Sequence, residues 1–183
     1  SLNQNNGIDF GSALYNDHHF HYGYLLYAAA VVAKKNASWF TANGNYYSNR
    51  VVDLAREIAN PSRGDNYFAL QRYKDWYDGN SWANGLVPYG GGKNQESSSE
   101  AANAWYGLYL FGLAMNNASP NAQYSNMLNQ GQLMLSQEVR ATQKYYYANQ
   151  TNPVYPAVYT DQFKTVTNLY QGRIDASTFF GSV

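Results

Sequence analysis

Apolar residues recur with helical spacing in four stretches of this 183-residue chain. From about Arg50 to Asn60, Val51, Leu54, Ala55 and Ile58 fall at i, i+3, i+4 and i+7, with Asp53, Arg56 and Glu57 opposite. Asn60-Pro61 ends that run. An earlier helix is predicted from near Asn16 to near Lys35, with Phe20, Tyr24, Tyr27 and Val31 on one stripe. It is apolar nearly all round after Tyr24, which predicts burial on several sides. A third spans roughly Ser98 to Met115, with Ala101, Trp105, Leu108 and Phe111 in register. A fourth begins after Ser119-Pro120, where proline suits a first helical turn, and runs to about Lys144. Between them lie Asn43-Gly44-Asn45, Asp78-Gly79-Asn80, Gly90-Gly91-Gly92 and Asn149 to Pro156, all rich in turn formers. No alternating strand is evident, although Ala157 to Val166 could be extended. The expected class is all-α, with residues 1–183 forming one unit. Loops this long suit helical hairpins arranged around an axis better than a simple bundle.

Composition narrows the ligand. Twelve Lys and Arg balance twelve Asp and Glu, which argues against nucleic acid as a partner. The chain has no cysteine, hence no disulfide framework and no thiolate chemistry. No apolar run approaches a membrane span, and Ser1 to Gly7 is polar rather than signal-like. Aromatic residues make up 17% and charged residues only 13%, against about 25% charged in ordinary soluble domains. Rings with few charges suit a neutral polyhydroxylated ligand, since sugar C–H faces stack on rings and hydroxyls pair with amides.

Three stretches could carry chemistry. In Asn16-Asp17-His18-His19-Phe20-His21, Asp17 and His21 share a helix face. Asn16 or Asp17 could equally cap a helix, leaving the histidines to fill polar corners. The histidine spacing fits no metal motif, and none is expected to bind a metal. Lys93 to Glu100 holds two of the chain's four glutamates, Glu96 and Glu100. Ser97 and Glu100 match a capping box, which accounts for Glu100 but leaves Glu96 without a structural task. Arg72 to Gly85 places Trp76, Tyr77 and Trp82 in one glycine-punctuated loop, either a sugar-stacking platform or anchors to the core. Cleaving a glycosidic bond takes two carboxyl groups on opposite sides of it. Asp17 and Glu96, distant in sequence, could supply them.

Three blocks, Tyr15 to Tyr24, Gly79-Asn80-Ser81-Trp82-Ala83-Asn84-Gly85 and Lys93 to Glu100, resemble the signature segments of glycoside hydrolase family 81, in that family's order. Thr178-Phe179-Phe180-Gly181 resembles a further segment. The resemblance implies an inverting endo-β-1,3-glucanase (laminarinase) built on an (α/α)6 barrel and acting without a cofactor. It places the general acid on Asp17, the general base on Glu96, an essential partner on Glu100 and an auxiliary histidine at His21. Asn80 stands where the family usually has histidine, which would alter a substrate hydrogen bond or the pH response. The family's enzymes are several times longer, so the chain is expected to be a fragment holding about half a barrel.

Trp76, Tyr77 and Trp82 are the candidate stacking rings, and Asn80, Asn94, Gln95 and His18 the candidate polar contacts to glucan. Inversion requires the two carboxyl groups to stand roughly 6.5–9.5 Å apart. Two rivals remain: a truncated, non-hydrolytic β-glucan-binding module, and a lyase of similar helical architecture. The lyase would need basic residues for a uronic-acid substrate, and none cluster near Asp17. A wall polymer as substrate implies a secreted protein. Asn36-Ala37-Ser38 and Asn149-Gln150-Thr151 match the glycosylation pattern, as chance allows in an Asn-rich chain.

Overall fold

A computed structural model describes residues 9–87, 90–148 and 154–177. The Asn149-Gln150-Thr151 match and the Thr178-to-Gly181 segment lie outside them. A short helical turn, Asp9–Leu14, leads into α1 (His18–Ala59), β1 (Asn94–Gln95), α2 (Ser98–Ala118), α3 (Ala122–Tyr145), α4 (Ala157–Thr160), β2 (Asn168–Tyr170) and β3 (Ile174–Asp175).

The first two predicted helices are the two arms of α1. Were α1 straight, residues 39 apart would stand about 58 Å from each other, at 1.5 Å rise per residue. Instead His18 Nδ1 lies 3.0 Å from Glu57 Oε1, so the chain folds back on itself. The reversal sits at Asn43-Gly44-Asn45, all three at left-handed φ of 52°, 66° and 64°. Asn and Gly tolerate that region best, so the turn-former triplet does what its residue types allow. Trp39 and Tyr47 stack across it at 4.0 Å. The return arm ends where Asn60, forced out of helical geometry by Pro61, adopts ψ 122°.

The outbound arm of α1 and α2 run side by side in the same direction. Contacts advance together along both: Tyr24 to Glu100, Tyr27 to Tyr106 and Phe40 to Phe111. A Cβ on Gly23 would stand 2.7 Å from the Cα of Ala104, so this crossing requires glycine. α3 returns antiparallel to α2, as the Trp105–Glu138 and Phe111–Tyr124 contacts show. Leu26, Phe40, Ile58, Trp105, Leu108, Phe111, Met115 and Met134 fill the space between these layers.

Four expectations are corrected. The buried face of the first arm is Phe20, Gly23, Leu26, Ala30 and Ala33, while Tyr24, Tyr27 and Val31 are exposed. Small residues permit the close crossing with α2, and a pattern weighted by bulky residues points to the wrong face. Glu57 is buried: its carboxylate binds His18 and, at 2.8 Å, Arg72, whose guanidinium lies 4.2 Å from the Tyr15 ring centroid. Pro120 precedes α3, whose N-cap is Asn121, accepting from Tyr124 N–H. Ala157 to Thr160 is helical, and a small antiparallel sheet β1-β2-β3 exists that periodicity could not reveal in strands of two or three residues. It pairs Asn94 with Tyr170 and Leu169 with Ile174.

Glu57→Ala would strand His18 and Arg72 without their shared carboxylate. The expected cost is about 3–5 kcal/mol, as for other broken buried ion pairs. Urea denaturation at neutral pH, giving an unchanged slope and a lower midpoint, checks it.

Candidate active site

The site begins where the chain turns into α1. Asp17 holds the N-cap position at φ 59°, ψ 10°, yet its side chain makes no capping bond. Its neighbours fix this uncommon backbone from outside. Asp17 N–H donates to Ala83 C=O at 2.9 Å, Gly85 N–H donates to Asn16 Oδ1 at 2.8 Å, and Leu86 N–H donates to Leu14 C=O at 2.9 Å. A Cβ on Gly85 would meet the Leu14 carbonyl oxygen at 2.1 Å, so the splice depends on glycine there. Asn16 thus fills the polar corner, and the Asp17 carboxyl is spared that duty.

Ala83 carries the register onward, its N–H donating to Asn94 C=O at 2.7 Å. Asn94 and Gln95 form β1, and Glu96 follows directly. Ser97 then caps α2, its hydroxyl accepting from Glu100 N–H at 3.4 Å. Only this half of the expected capping box forms. Ser97 N–H donates to Gln95 Oε1 at 2.9 Å, which releases the Glu100 side chain from the cap. Glu100 Oε1 instead accepts a 3.0 Å hydrogen bond from the Tyr24 hydroxyl. His21 and Tyr24 stand three residues apart on α1, after the N-cap Asp17, and Tyr24 reaches Glu100. Phe20, Ala83 and Ala101 form a small apolar cluster, one residue from each segment that meets here.

Electrostatics join the three carboxylates. Burial, then the negative charges of Glu96 and Glu100, push the Asp17 carboxyl up from 3.8 to about 7. Glu96 is also raised, by burial and then by Glu100, while a 3.4 Å hydrogen bond from Asn94 Nδ2 opposes the shift. The charges of Glu96 and Glu100 oppose ionisation of Asp17, and that of Glu100 opposes ionisation of Glu96. Asp17, Glu96 and Glu100 therefore lie near enough for the charges of the two glutamates to act on Asp17. His21 N–H donates to Asp17 C=O at 3.0 Å, and its ring meets Phe10 edge-on at 6.0 Å.

The predicted substrate contacts separate into three groups. His18, Asn80, Trp82 and Gln95 are each at most 5% exposed, so direct contact with sugar is corrected to a structural task. His18 binds Glu57 and Ser12. Gln95 Nε2 donates to Ser81 C=O at 2.8 Å, Asn80 Nδ2 donates to the same oxygen at 3.1 Å, and Trp82 packs on Tyr146 and Leu169. Asn94 is buried as well, and its side chain steadies Glu96. Trp76 and Tyr77 are exposed but line a groove that includes none of the three carboxylates. The three histidines serve separate surroundings: burial and then the charge of Lys74 hold His19 well below its usual range, beside Ser81. Among the described residues, no group of three or more His, Cys, Asp or Glu is placed to hold a metal. Sequence reasoning missed Tyr24, whose signal was its two-turn spacing from Asp17, and Glu57, hidden by its place on a nominally polar face.

Parallel helices joined by antiparallel returns, with an acidic cluster where the parallel pair begins, define an α/α-barrel-type domain with a carboxylate site. The chain belongs to glycoside hydrolase family 81: residues 1–183 match the glycosyl hydrolase family 81 C-terminal domain. It is 36% identical over 176 residues to a glucan endo-1,3-beta-D-glucosidase of Arthroderma benhamiae, covering 96% of this chain and 18% of that protein. A primary septum glucan endo-1,3-beta-D-glucosidase of Schizosaccharomyces pombe is 34% identical, covering 95% of this chain and 16% of its own length. A family 81 glycoside hydrolase from Clostridium thermocellum, solved as a mutant, superposes with a TM-score of 0.81 at 32% identity. That match covers 92% of this chain and 22% of the other. The chain thus spans about a fifth of the length of these relatives.

The raised Asp17 carboxyl has a stability consequence. Between pH 4 and 7 the folded state keeps a proton that the unfolded chain, near 3.8, releases, so stability falls as pH rises through that window. Asp17→Asn removes the effect. Its Tm should match the parent's near pH 4 and exceed it by several degrees at pH 8, as read by circular dichroism melts.

Proposed function

We propose that this chain carries the acid–base pair of an endo-acting β-1,3-glucan hydrolase that inverts the anomeric carbon. The observation that carries this reading is the Asp17 carboxyl raised to about 7 in the company of Glu96 and Glu100. A carboxyl that can hold its proton near neutral pH, with a second carboxyl close by, suits the division of labour glycoside hydrolysis needs. The names of the relatives supply the substrate, β-1,3-glucan, and the endo mode of attack.

Asp17 gives its proton to the glycosidic oxygen as the bond from the anomeric carbon to that oxygen breaks. Glu96 takes a proton from a water whose oxygen bonds to the same carbon from the opposite face. Glu100, held by Tyr24, raises both Asp17 and Glu96, which favours the proton on Asp17 and the basicity of Glu96. His21 orients Asp17 or meets a sugar hydroxyl. Inversion asks for roughly 6.5–9.5 Å between the two carboxyl groups, room for the water. The step uses no metal or organic cofactor. A septum glucan as substrate, printed in the name of one relative, supports a place outside the cell. Among the described residues, no helix is long and apolar enough to cross a membrane.

In the full-length enzyme, Asp17→Asn and Glu96→Gln should each lower reducing-sugar release from laminarin at least 1,000-fold, on the order of 4 kcal/mol of barrier. Proton NMR of the first product should show the α anomer, and a β product would overturn inversion. Binding of laminarin without sugar release by the unmodified protein would favour a binding module instead.

The pH profile of kcat/KM should be bell-shaped, because Asp17 must be protonated and Glu96 ionised. The alkaline limb should lie near pH 7, where Asp17 loses its proton. Glu100→Gln removes a charge that raises both groups, so both limbs should move to lower pH in a stopped assay series.

A further inference from the structure

Gln95, one residue before Glu96, is fully buried and held from several sides. Its Nε2 donates to Ser81 C=O at 2.8 Å and to Ser81 Oγ at 3.0 Å. Its own carbonyl accepts from the Tyr146 hydroxyl at 2.8 Å, and its backbone pairs with Leu169 in the sheet. Ser81 is fixed in turn. Its N–H donates to Glu138 at 3.1 Å, and Glu138 also accepts from the Trp105 indole at 3.0 Å and from Lys74 at 3.3 Å. The Lys74 and Glu138 side chains are both out of contact with water. Moving the Gln95 amide would leave buried polar groups unpaired, so the network confines it to one placement.

The remaining polar atom, Gln95 Oε1, accepts from Ser97 N–H at 2.9 Å. That bond closes a short ring over Glu96, which lies between acceptor and donor, so the backbone carrying the Glu96 carboxylate is clamped on both sides. The same bond has a second effect. In a complete capping box the glutamate three residues after the N-cap reaches back to the N-cap N–H. Here Ser97 is the N-cap, and its hydroxyl accepts from Glu100 N–H at 3.4 Å. The returning half does not form because Gln95 already holds the Ser97 N–H. Glu100 Oε1 binds the Tyr24 hydroxyl at 3.0 Å instead, and from there its charge acts on Asp17 and Glu96.

We infer that Gln95 is a positioning residue for the acidic cluster: by occupying the Ser97 N–H it fixes Glu96 and keeps Glu100 out of the helix cap, on Tyr24. The catalytic consequence rests on the function proposed above; the placement of Glu100 does not. With an apolar residue at 95, the Ser97 N–H becomes an unpaired donor at the start of a helix. Glu100 then stands where a capping box supplies the acceptor, and it leaves the site to do so.

The test is Gln95→Met in the full-length enzyme, a swap that removes the amide at little change in volume. Its crystal structure should show the Glu100 carboxylate on Ser97 N–H and away from Tyr24; Glu100 still on Tyr24 would overturn the inference. With laminarin, kcat should fall about 30-fold while KM changes less than about twofold, since misplacing a reacting group by about 1 Å costs on the order of 100-fold. The alkaline limb of kcat/KM should move lower by about half a pH unit, because the charge of Glu100 has withdrawn from Asp17. Adding Glu100→Gln to Gln95→Met should move that limb no further, and additive shifts would overturn the inference. A loss carried by KM alone, or kcat within about threefold of the parent, would overturn it too. Should Gln95→Met fail to fold by circular dichroism, Tyr146→Phe and Ser81→Ala decide, each removing one bond from Gln95. Each should lower kcat about threefold at unchanged KM, and two silent variants would overturn the inference. Full turnover by Glu96→Gln, or a parent that releases no sugar, would instead refute the hydrolase reading, and the crystallographic result would still decide the placement of Glu100.

Discussion

Two backbone hydrogen bonds hold the site together: Asp17 N–H to Ala83 C=O, and Ala83 N–H to Asn94 C=O. They splice three segments that are far apart in the chain, bringing Asp17 and the residues before Glu96 into one frame. Because both are main-chain bonds, their lengths set the spacing of the segments independently of side-chain rotamers. Asn16 and Asn84 strengthen the splice with their amide oxygens, which accept from Gly85 and Asn94 N–H. The asparagines of this region are framework, and the carboxylates are left for other work.

That frame tolerates an unfavourable concentration of charge. Three carboxylates share one partly buried region, and the repulsion appears in the upward displacement of Asp17 and Glu96. Nearby, the opposite arrangement prevails. Glu57 is matched by His18 and Arg72, and Glu138 by Lys74, the Trp105 indole and the Ser81 amide. Glu57 and Glu138, which support the fold, are matched by cations, whereas Asp17, Glu96 and Glu100 are gathered with their charges opposed, a distribution found at sites that trade stability for function.

Much of this was legible in the chain. Helix α2 was readable because Ala101, Trp105, Leu108 and Phe111 are all buried and all lie on one stripe. The hairpin turn was readable because Asn43-Gly44-Asn45 contains the residues that accept left-handed φ. Asp17, Glu96 and Glu100 were singled out through resemblance and, for Glu96, through its lack of a structural task. The inward face of α1 was misread because its contact with α2 is made by Gly23, Ala30 and Ala33, whose smallness is invisible to a hydrophobicity pattern. The sheet was missed because strands of two or three residues carry no period. Burial of Asn80, Gln95 and Trp82 depends on chain segments that sequence spacing does not relate, so polar and aromatic character alone suggested a ligand-facing role.

The reversal at Asn43-Gly44-Asn45 lies at the far end of an arm whose first stretch, from His18 to Lys35, is alone about 26 Å long, before a break in helical geometry at Asn36. A side chain built onto Gly44 would touch nothing within 4 Å. The apex is therefore insulated from the acids by the whole height of the domain. Variation in its length, or a reporter group grafted onto it, would be felt by the hairpin's folding before it reached the chemistry. In this architecture the distal tips are where sequence can drift or acquire new attachments while the opposite rim stays under constraint.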